Sequence, residues 1–156
     1  MSERNDNLIL SIKGMSKSFG RNRVLDHINL DVKPGSIMGL MGENGAGKST
    51  TIKSIAGLLR YEGEIKINGL PSKSVEAKKI FAYVPEIPAM FGALTVMEHI
   101  EYVRRAYHSQ ITDDEVEELL TRFDMSDKKD KLGDELSKGM MQKVSIICAL
   151  CIKPEV

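Results

Sequence analysis

Gly42, Gly45, Gly47, Lys48 and Ser49 stand in the spacing G-x-x-x-x-G-K-[ST], within LMGENGAGKST (40–50). That spacing serves the holding of phosphate. Glycines let the backbone turn until successive N–H groups of Gly42, Glu43, Asn44, Gly45, Ala46 and Gly47 point at one anion. The start of the helix that follows adds the positive end of its dipole. Lys48 brings a full charge to the β- and γ-phosphates, the Ser49 hydroxyl can ligate Mg²⁺, and Thr50 is read with the loop as a nucleotide-binding residue. Hydrogen bonds to charged groups contribute roughly 1.5–3 kcal/mol each, so several that converge hold a polyphosphate. The alternative, a glycine-rich turn that merely starts a helix, leaves Lys48 and Ser49 unexplained. The stretch is read as a cradle for a nucleoside triphosphate.

A cradle of this kind needs a strand before it and a helix after it. SIMGLM (36–41) is a short, continuously apolar run bounded by glycine, which predicts a strand covered on both faces, as in a parallel sheet. KSTTIKSIAGLL (48–59) places Ile52, Ile55, Ala56 and Leu59 at helical spacing. LILSIKGM (8–15) and VLDHINLDV (24–32) alternate as half-buried strands, the second closed by Pro34-Gly35. GEIKINGLP (63–71) predicts a strand entering an Asn-Gly turn, and IFAYVP (80–85) a further strand.

Helices take over from about residue 95. Thr95–Glu98 and Thr112–Glu115 have the Thr-x-x-Glu form of a capping box. The first predicts a helix with Val96, Ile100, Val103 and Tyr107 on one face, the second a helix with Val116, Leu119, Leu120 and Phe123. The hydrophilic connector DMSDKKDKLGDE (124–135) leads to an almost wholly apolar helix begun near Ser137.

Composition narrows the remaining classes. The chain has 156 residues, of which 42% are hydrophobic, enough for one domain with its own core. Lys plus Arg and Asp plus Glu are 22 each, so the formal charge is zero and there is no basic footprint for nucleic acid. MSERNDNLIL contains no apolar core of signal-peptide length, and no run is long enough to span a membrane. These features predict a soluble, cytoplasmic chain whose membrane contact comes through a partner. Cys148 and Cys151 form a C-x-x-C spacing that could serve redox or metal chemistry. They lie in VSIICALCI with no second pair and no nearby histidine, and are read as small core residues. His27, His99 and His108 are scattered and suggest no site.

The order of motifs resembles that of the ATP-binding cassette (ABC) family, over essentially the whole chain. GENGAGKST is close to that family's phosphate loop. KSFG places Phe19 where the family carries an aromatic that stacks on adenine, although alone Phe19 reads as an ordinary apolar residue. YVPEIP (83–88) falls at the family's glutamine loop, with Glu86 in place of glutamine. A carboxylate there can ligate Mg²⁺ or orient water, but adds negative charge beside the γ-phosphate; the alternative is a solvated loop glutamate. LSKGMMQK (136–143) resembles the signature motif: Leu136, Ser137 and Gly139 match, whereas Lys138 and Met140 depart from it. In the family this loop closes over the γ-phosphate of a second subunit, and Ser137 can also simply cap its helix. The SKGM form resembles that of exporters of drugs and peptides.

The resemblance implies an α/β fold: a P-loop NTPase core of mixed sheet with N-terminal antiparallel strands, plus a helical subdomain. The expected divisions are a nucleotide-binding core over 1–86, a helical subdomain over 87–136, and a signature helix over 137–156 returning to the core. It further implies ATP and Mg²⁺ as ligands, a head-to-tail dimer with a second ATP-binding domain, and a membrane-spanning permease subunit. The chain would sit at the inner face of the cell membrane, coupling ATP hydrolysis to transport, in the direction of export. Lys48 and Glu86, with Ser137 and Gly139 from the partner domain, are the expected catalytic set, and Ser49 and Glu86 the metal ligands. PAMFGAL (88–94) is the candidate permease contact; a loop tucked onto the helical subdomain is the alternative.

In the family an apolar strand ending in an Mg²⁺-holding aspartate and a water-activating glutamate comes after KPE, and a switch histidine later still. This chain ends at Val156. The expectation is therefore a truncated form that binds Mg-ATP with negligible turnover and exposes unpaired sheet edges. Two other functions fit the same residues: an ABC-type ATPase acting in translation or DNA repair, and an inert nucleotide-binding or interaction module.

Overall fold

Alternation at Leu10 and Ile12 builds β1 (Leu10–Phe19), the strand around which the first sheet forms. It pairs antiparallel with β2 (Asn22–Val32) on one edge and with β3 (Glu62–Ile67) on the other; β4 (Leu70–Pro71) adds to β3. The order is β2-β1-β3-β4. Ile12 lies opposite Leu30 and Ile65, and Leu10 opposite Val32 and Ile67. Ile12, Met15, Leu25, Ile65 and Ile67 are buried together with Leu10 on the covered face. The β3–β4 turn is the expected Asn68-Gly69, both with positive φ (47° and 76°), as a type I′ turn requires.

The computed structural model describes residues 8–156, and contacts divide the chain into one unit running to Lys78 with Val156, and a second over Lys79–Glu155. The first seven residues of MSERNDNLIL lie outside the described part. The first unit also holds α1 (Lys48–Ile55), and α2 (Val75–Lys79) ends it. The fold is mixed α/β, as expected, but two predicted strands are absent. Residues 36–41 and 80–85 carry no ladder, and Ile37 and Met41 are almost fully exposed. A strand apolar on both faces is held by neighbours on both edges; among the described residues no strand pairs with either run, and 80–85 is met by a backbone bond from Glu155 N to Ile80 O (2.8 Å). The apolar face predicted for α1 also differs. Thr51 and Ser54 are its buried residues, whereas Ile52 is exposed.

The second unit is built on α3 (Val96–Ala106), α4 (Asp113–Arg122) and α5 (Lys138–Cys151). Its core joins Val96, Ile100, Val116, Leu120, Val144 and Ile147, with Cys151 at the end of α5 and Cys148 partly buried against it. Both cysteines are free, and burial pushes their thiols up to about 12 for Cys148 and about 11 for Cys151. They act as core residues rather than as reactive groups. Val103 is only half-buried and Tyr107 exposed, so the predicted face of α3 is covered over its first turns alone. No helix among the described residues is long and apolar enough to cross a membrane.

Both capping boxes form as the sequence predicts. Thr95 Oγ1 accepts from Glu98 N (3.2 Å) while Glu98 accepts from Thr95 N (2.7 Å). Thr112 and Glu115 do the same at 3.2 and 2.8 Å. The Thr95 backbone bond holds the Glu98 carboxyl below the ordinary glutamate value of 4.5. Glu115 is lowered first by Lys153 and then by the Thr112 backbone. Folded-state values below the unfolded ones mean stability that is present above the ordinary glutamate range and lost as the pH falls through the lowered values. Glu98→Gln and Glu115→Gln are therefore expected to flatten the acid limb of a stability-versus-pH curve measured by urea unfolding; an unchanged acid limb would show the boxes to be energetically silent.

Candidate nucleotide-binding site

After β2 the chain turns through Ser36 N donating to Lys33 O (3.3 Å), then runs exposed to the glycine loop. Within the loop Ala46 N donates to Glu43 O (3.2 Å), and Gly45 and Gly47 take φ of 87° and 90°. Gly47 has a further reason to be glycine. It is buried against β2, where a Cβ would lie 2.6 Å from Leu25 Cδ2 and 3.3 Å from Val24 O. Gly47 O then accepts from both Thr51 N (2.8 Å) and Thr51 Oγ1 (3.0 Å), which starts α1.

The start of α1 is left open. Its cap is Gly47, no side chain bonds to its first N–H groups, and no acidic residue occupies its first turn. The other long helices, α3, α4 and α5, are each capped by a Thr or Ser hydroxyl. Lys48 folds back over the loop, its ammonium donating to Gly42 O and Glu43 O, both at 2.7 Å. Unsatisfied N–H donors and a lysine bonded only to carbonyls are a donor set that phosphate oxygens satisfy better than carbonyls do. Ser49 lies exposed in the first turn of the helix.

Phe19 closes β1 at the hairpin with β2, opposite Asn22, with its ring half exposed (49%). Lys17, two residues earlier, is opposite Leu25, the residue against which Gly47 packs. At about 3.3 Å per strand residue, Phe19 stands roughly 7 Å along the strand from that rung, within the span of a nucleotide whose phosphates lie on the loop.

In the second unit Ser137 caps α5, its Oγ accepting from Met140 N (3.3 Å). Gly139 lies in the first turn with open space where a Cβ would be. Gln142, one turn further on, donates from Nε2 to Pro85 O (3.3 Å) and so ties α5 to the bend that carries exposed Glu86.

The segment after Glu86 is tied down by close backbone contacts and hydrogen bonds. Gly92 and Gly133 approach too closely for any side chain: a Cβ on Gly133 would lie 2.6 Å from Phe91 O, and one on Gly92 would strike the Asp134 carboxylate. Gly133 N donates to Leu94 O (2.8 Å). His99, which sequence reasoning left without a role, is buried here. Its Nδ1–H donates to Thr95 O (2.8 Å), and Nε2 accepts from Phe91 N (2.8 Å). Its ring stacks on Phe91, which meets Tyr102 edge-on at 5.6 Å. The signal was a polar residue in the apolar stripe of Val96 and Ile100, which demands buried partners. Phe91 and Tyr102 remain 56% and 55% exposed, and Ile87 75%. His99→Leu is expected to speed amide exchange at Phe91 about fivefold or more while leaving the α3 amides protected; unchanged exchange at Phe91 would remove His99 from this role.

Comparison with known proteins gives the family of the chain. The family model described as ABC transporter matches residues 25–156. An ABC-type transporter ATP-binding protein, EcsA of Bacillus subtilis, is 38% identical over 94% of this chain and 61% of its own length. A solved ATP-binding subunit of an ABC transporter superposes with a TM-score of 0.83 at 36% identity, over 94% of this chain and 63% of that one. For cbiO1 from Clostridium perfringens, part of the cbiONQ transporter complex, the TM-score is 0.72 at 25% identity, over 95% and 63%. The chain thus spans a little under two thirds of the length of each of these three relatives.

Proposed function

The chain belongs to the ABC transporter family of ATP-binding proteins, and on that premise we propose that it binds Mg-ATP in the Gly42–Thr50 loop as the nucleotide-binding part of a transport motor. The observation that carries the reading is the uncapped start of α1 beside a lysine folded onto loop carbonyls. Arriving β- and γ-phosphates take over the Lys48 ammonium and the free N–H groups, and Phe19 receives the adenine. Ser49 and, from the family resemblance, Glu86 are the proposed Mg²⁺ ligands; a hydroxyl and a carboxylate are oxygen donors of the kind that cation takes. When bound, Mg²⁺ supplies neutralisation of charge on the phosphate oxygens.

For the whole protein we propose hydrolysis in a head-to-tail dimer of ATP-binding domains at the inner face of the membrane, driving export through a separate permease subunit. Gly139 supports the dimer. Glycine in a helix costs about 1 kcal/mol relative to alanine, and neither its backbone conformation nor its neighbours require it here. Close approach of another molecule's phosphate would. The exposed Ile87, Phe91 and Tyr102, braced by His99 and the Gly92–Gly133 approach, are the proposed permease contact.

Lys48→Ala is expected to weaken Mg-ATP binding by equilibrium dialysis about 10- to 100-fold, the worth of its charged hydrogen bonds; binding that survives the substitution would refute the cradle. Gly139→Ala separates the fold from the dimer. It should leave thermal stability unchanged or raise it by up to about 1 kcal/mol, yet weaken ATP-dependent dimerisation of the whole protein. A loss of stability, or dimerisation unaffected, would contradict the role given to Gly139.

A further inference from the structure

Lys17 is a half-buried lysine whose ammonium sits 4.8 Å from the centroid of the Phe19 ring. Among the described residues no carboxylate lies within ion-pair distance of it, although lysines elsewhere in the chain find such partners, for example Lys153 with Glu115. The register of the β1–β2 hairpin explains the contact. Lys17 pairs with Leu25 but Ser18 pairs with Arg23, so β2 carries an extra residue at that point. Such a bulge increases local twist and re-aims side chains. Residues two apart on a strand share a face, which brings the ammonium of Lys17 over the ring of Phe19 at the hairpin end.

We propose that Lys17 is a positioning residue for the nucleotide base: its ammonium covers one face of the Phe19 ring, fixes the ring's rotamer, and leaves the other face as the stacking platform. The inference rests on the reading of Phe19 as the adenine platform. A half-exposed phenylalanine at a hairpin end exchanges rotamers, and each must be frozen when a base binds. A ring already held by a cation has met that entropic cost before the ligand arrives. The cation also blocks the second ring face, so the base has one docking geometry instead of two. Lys17 is anchored in turn, because its rung partner Leu25 is the side chain against which Gly47 packs. Platform and phosphate loop are therefore braced by the same pair of strands.

The test compares Mg-ATP with Mg-tripolyphosphate, which carries the phosphates without base or sugar, on the full chain and on Lys17→Met, Lys17→Arg and Phe19→Leu. Exposed cation–π contacts of this kind correspond to about 2–5-fold in affinity. Lys17→Met should raise the Kd for ATP about 2–5-fold, leave that for tripolyphosphate unchanged, and cost nothing further when added to Phe19→Leu. Lys17→Arg, which keeps a cation over the ring, should retain the parent values. Equal weakening toward both ligands would make Lys17 a phosphate contact and overturn the proposal. Selective loss in Phe19→Leu with none in Lys17→Met would overturn it while leaving the platform standing. No selective loss in Phe19→Leu would remove the platform itself and the proposal with it.

Discussion

Every α-helix begins with N–H groups that have no partner inside the helix, and how each helix of this chain meets that demand separates support from function. Thr95, Thr112 and Ser137 answer it with hydroxyl groups at α3, α4 and α5. The start of α1 is answered by nothing: Gly47 has no side chain to offer and no acid follows it. Water or an anion can satisfy those donors, and the positive end of the helix dipole favours the anion. The loop's other features surround that start. Gly47 must be glycine for the left-handed turn and for contact with Leu25. Lys48, next in sequence, is positioned by the first turn and held provisionally on the carbonyls of Gly42 and Glu43. β1 and β2 bring Phe19 and Lys17 to the hairpin end within a nucleotide's length.

The second unit applies the same economy to a surface. Its helices α3, α4 and α5 are capped at their starts by Thr or Ser hydroxyls, and its core is a largely aliphatic cluster. What it presents is the short segment around Phe91, braced from below by His99 and from the side by Gly133. At α5 the serine that caps the helix is the serine of the signature-like motif, so local folding and the proposed contact with a second domain use one residue. Gly139 is the exception: nothing in its surroundings calls for it.

Features encoded within a few residues were legible in the sequence. The turn of the glycine loop, both capping boxes, the Asn68-Gly69 turn, the Ser137 cap and the first strands each rest on spacing or alternation, and each is present, while the antiparallel pairing of those strands is implied by the family resemblance. Features that depend on distant partners were not. The apolar runs at 36–41 and 80–85 read as strands, but a strand exists only beside another, and no ladder reaches them. The buried face of α1 is set by what covers it rather than by its own periodicity, which is why Thr51 and Ser54, not Ile52, turn inward. His99 gained its role from Phe91 folding back eight residues, and Lys17 from a bulge in the opposing strand. Neither event leaves a local mark beyond a polar residue in an apolar stripe or a lysine two places before an aromatic.

The central claim is that phosphate fills the open start of α1. The direct measurement is an amide NMR titration of the chain with Mg-tripolyphosphate, following every assigned N–H group. The account predicts saturable shifts at Gly45, Gly47, Lys48, Ser49 and Thr50, with the amides of the Ser- and Thr-capped helices unmoved. Binding that leaves those loop amides unshifted, or shifts centred on α3, α4 or α5, would contradict it.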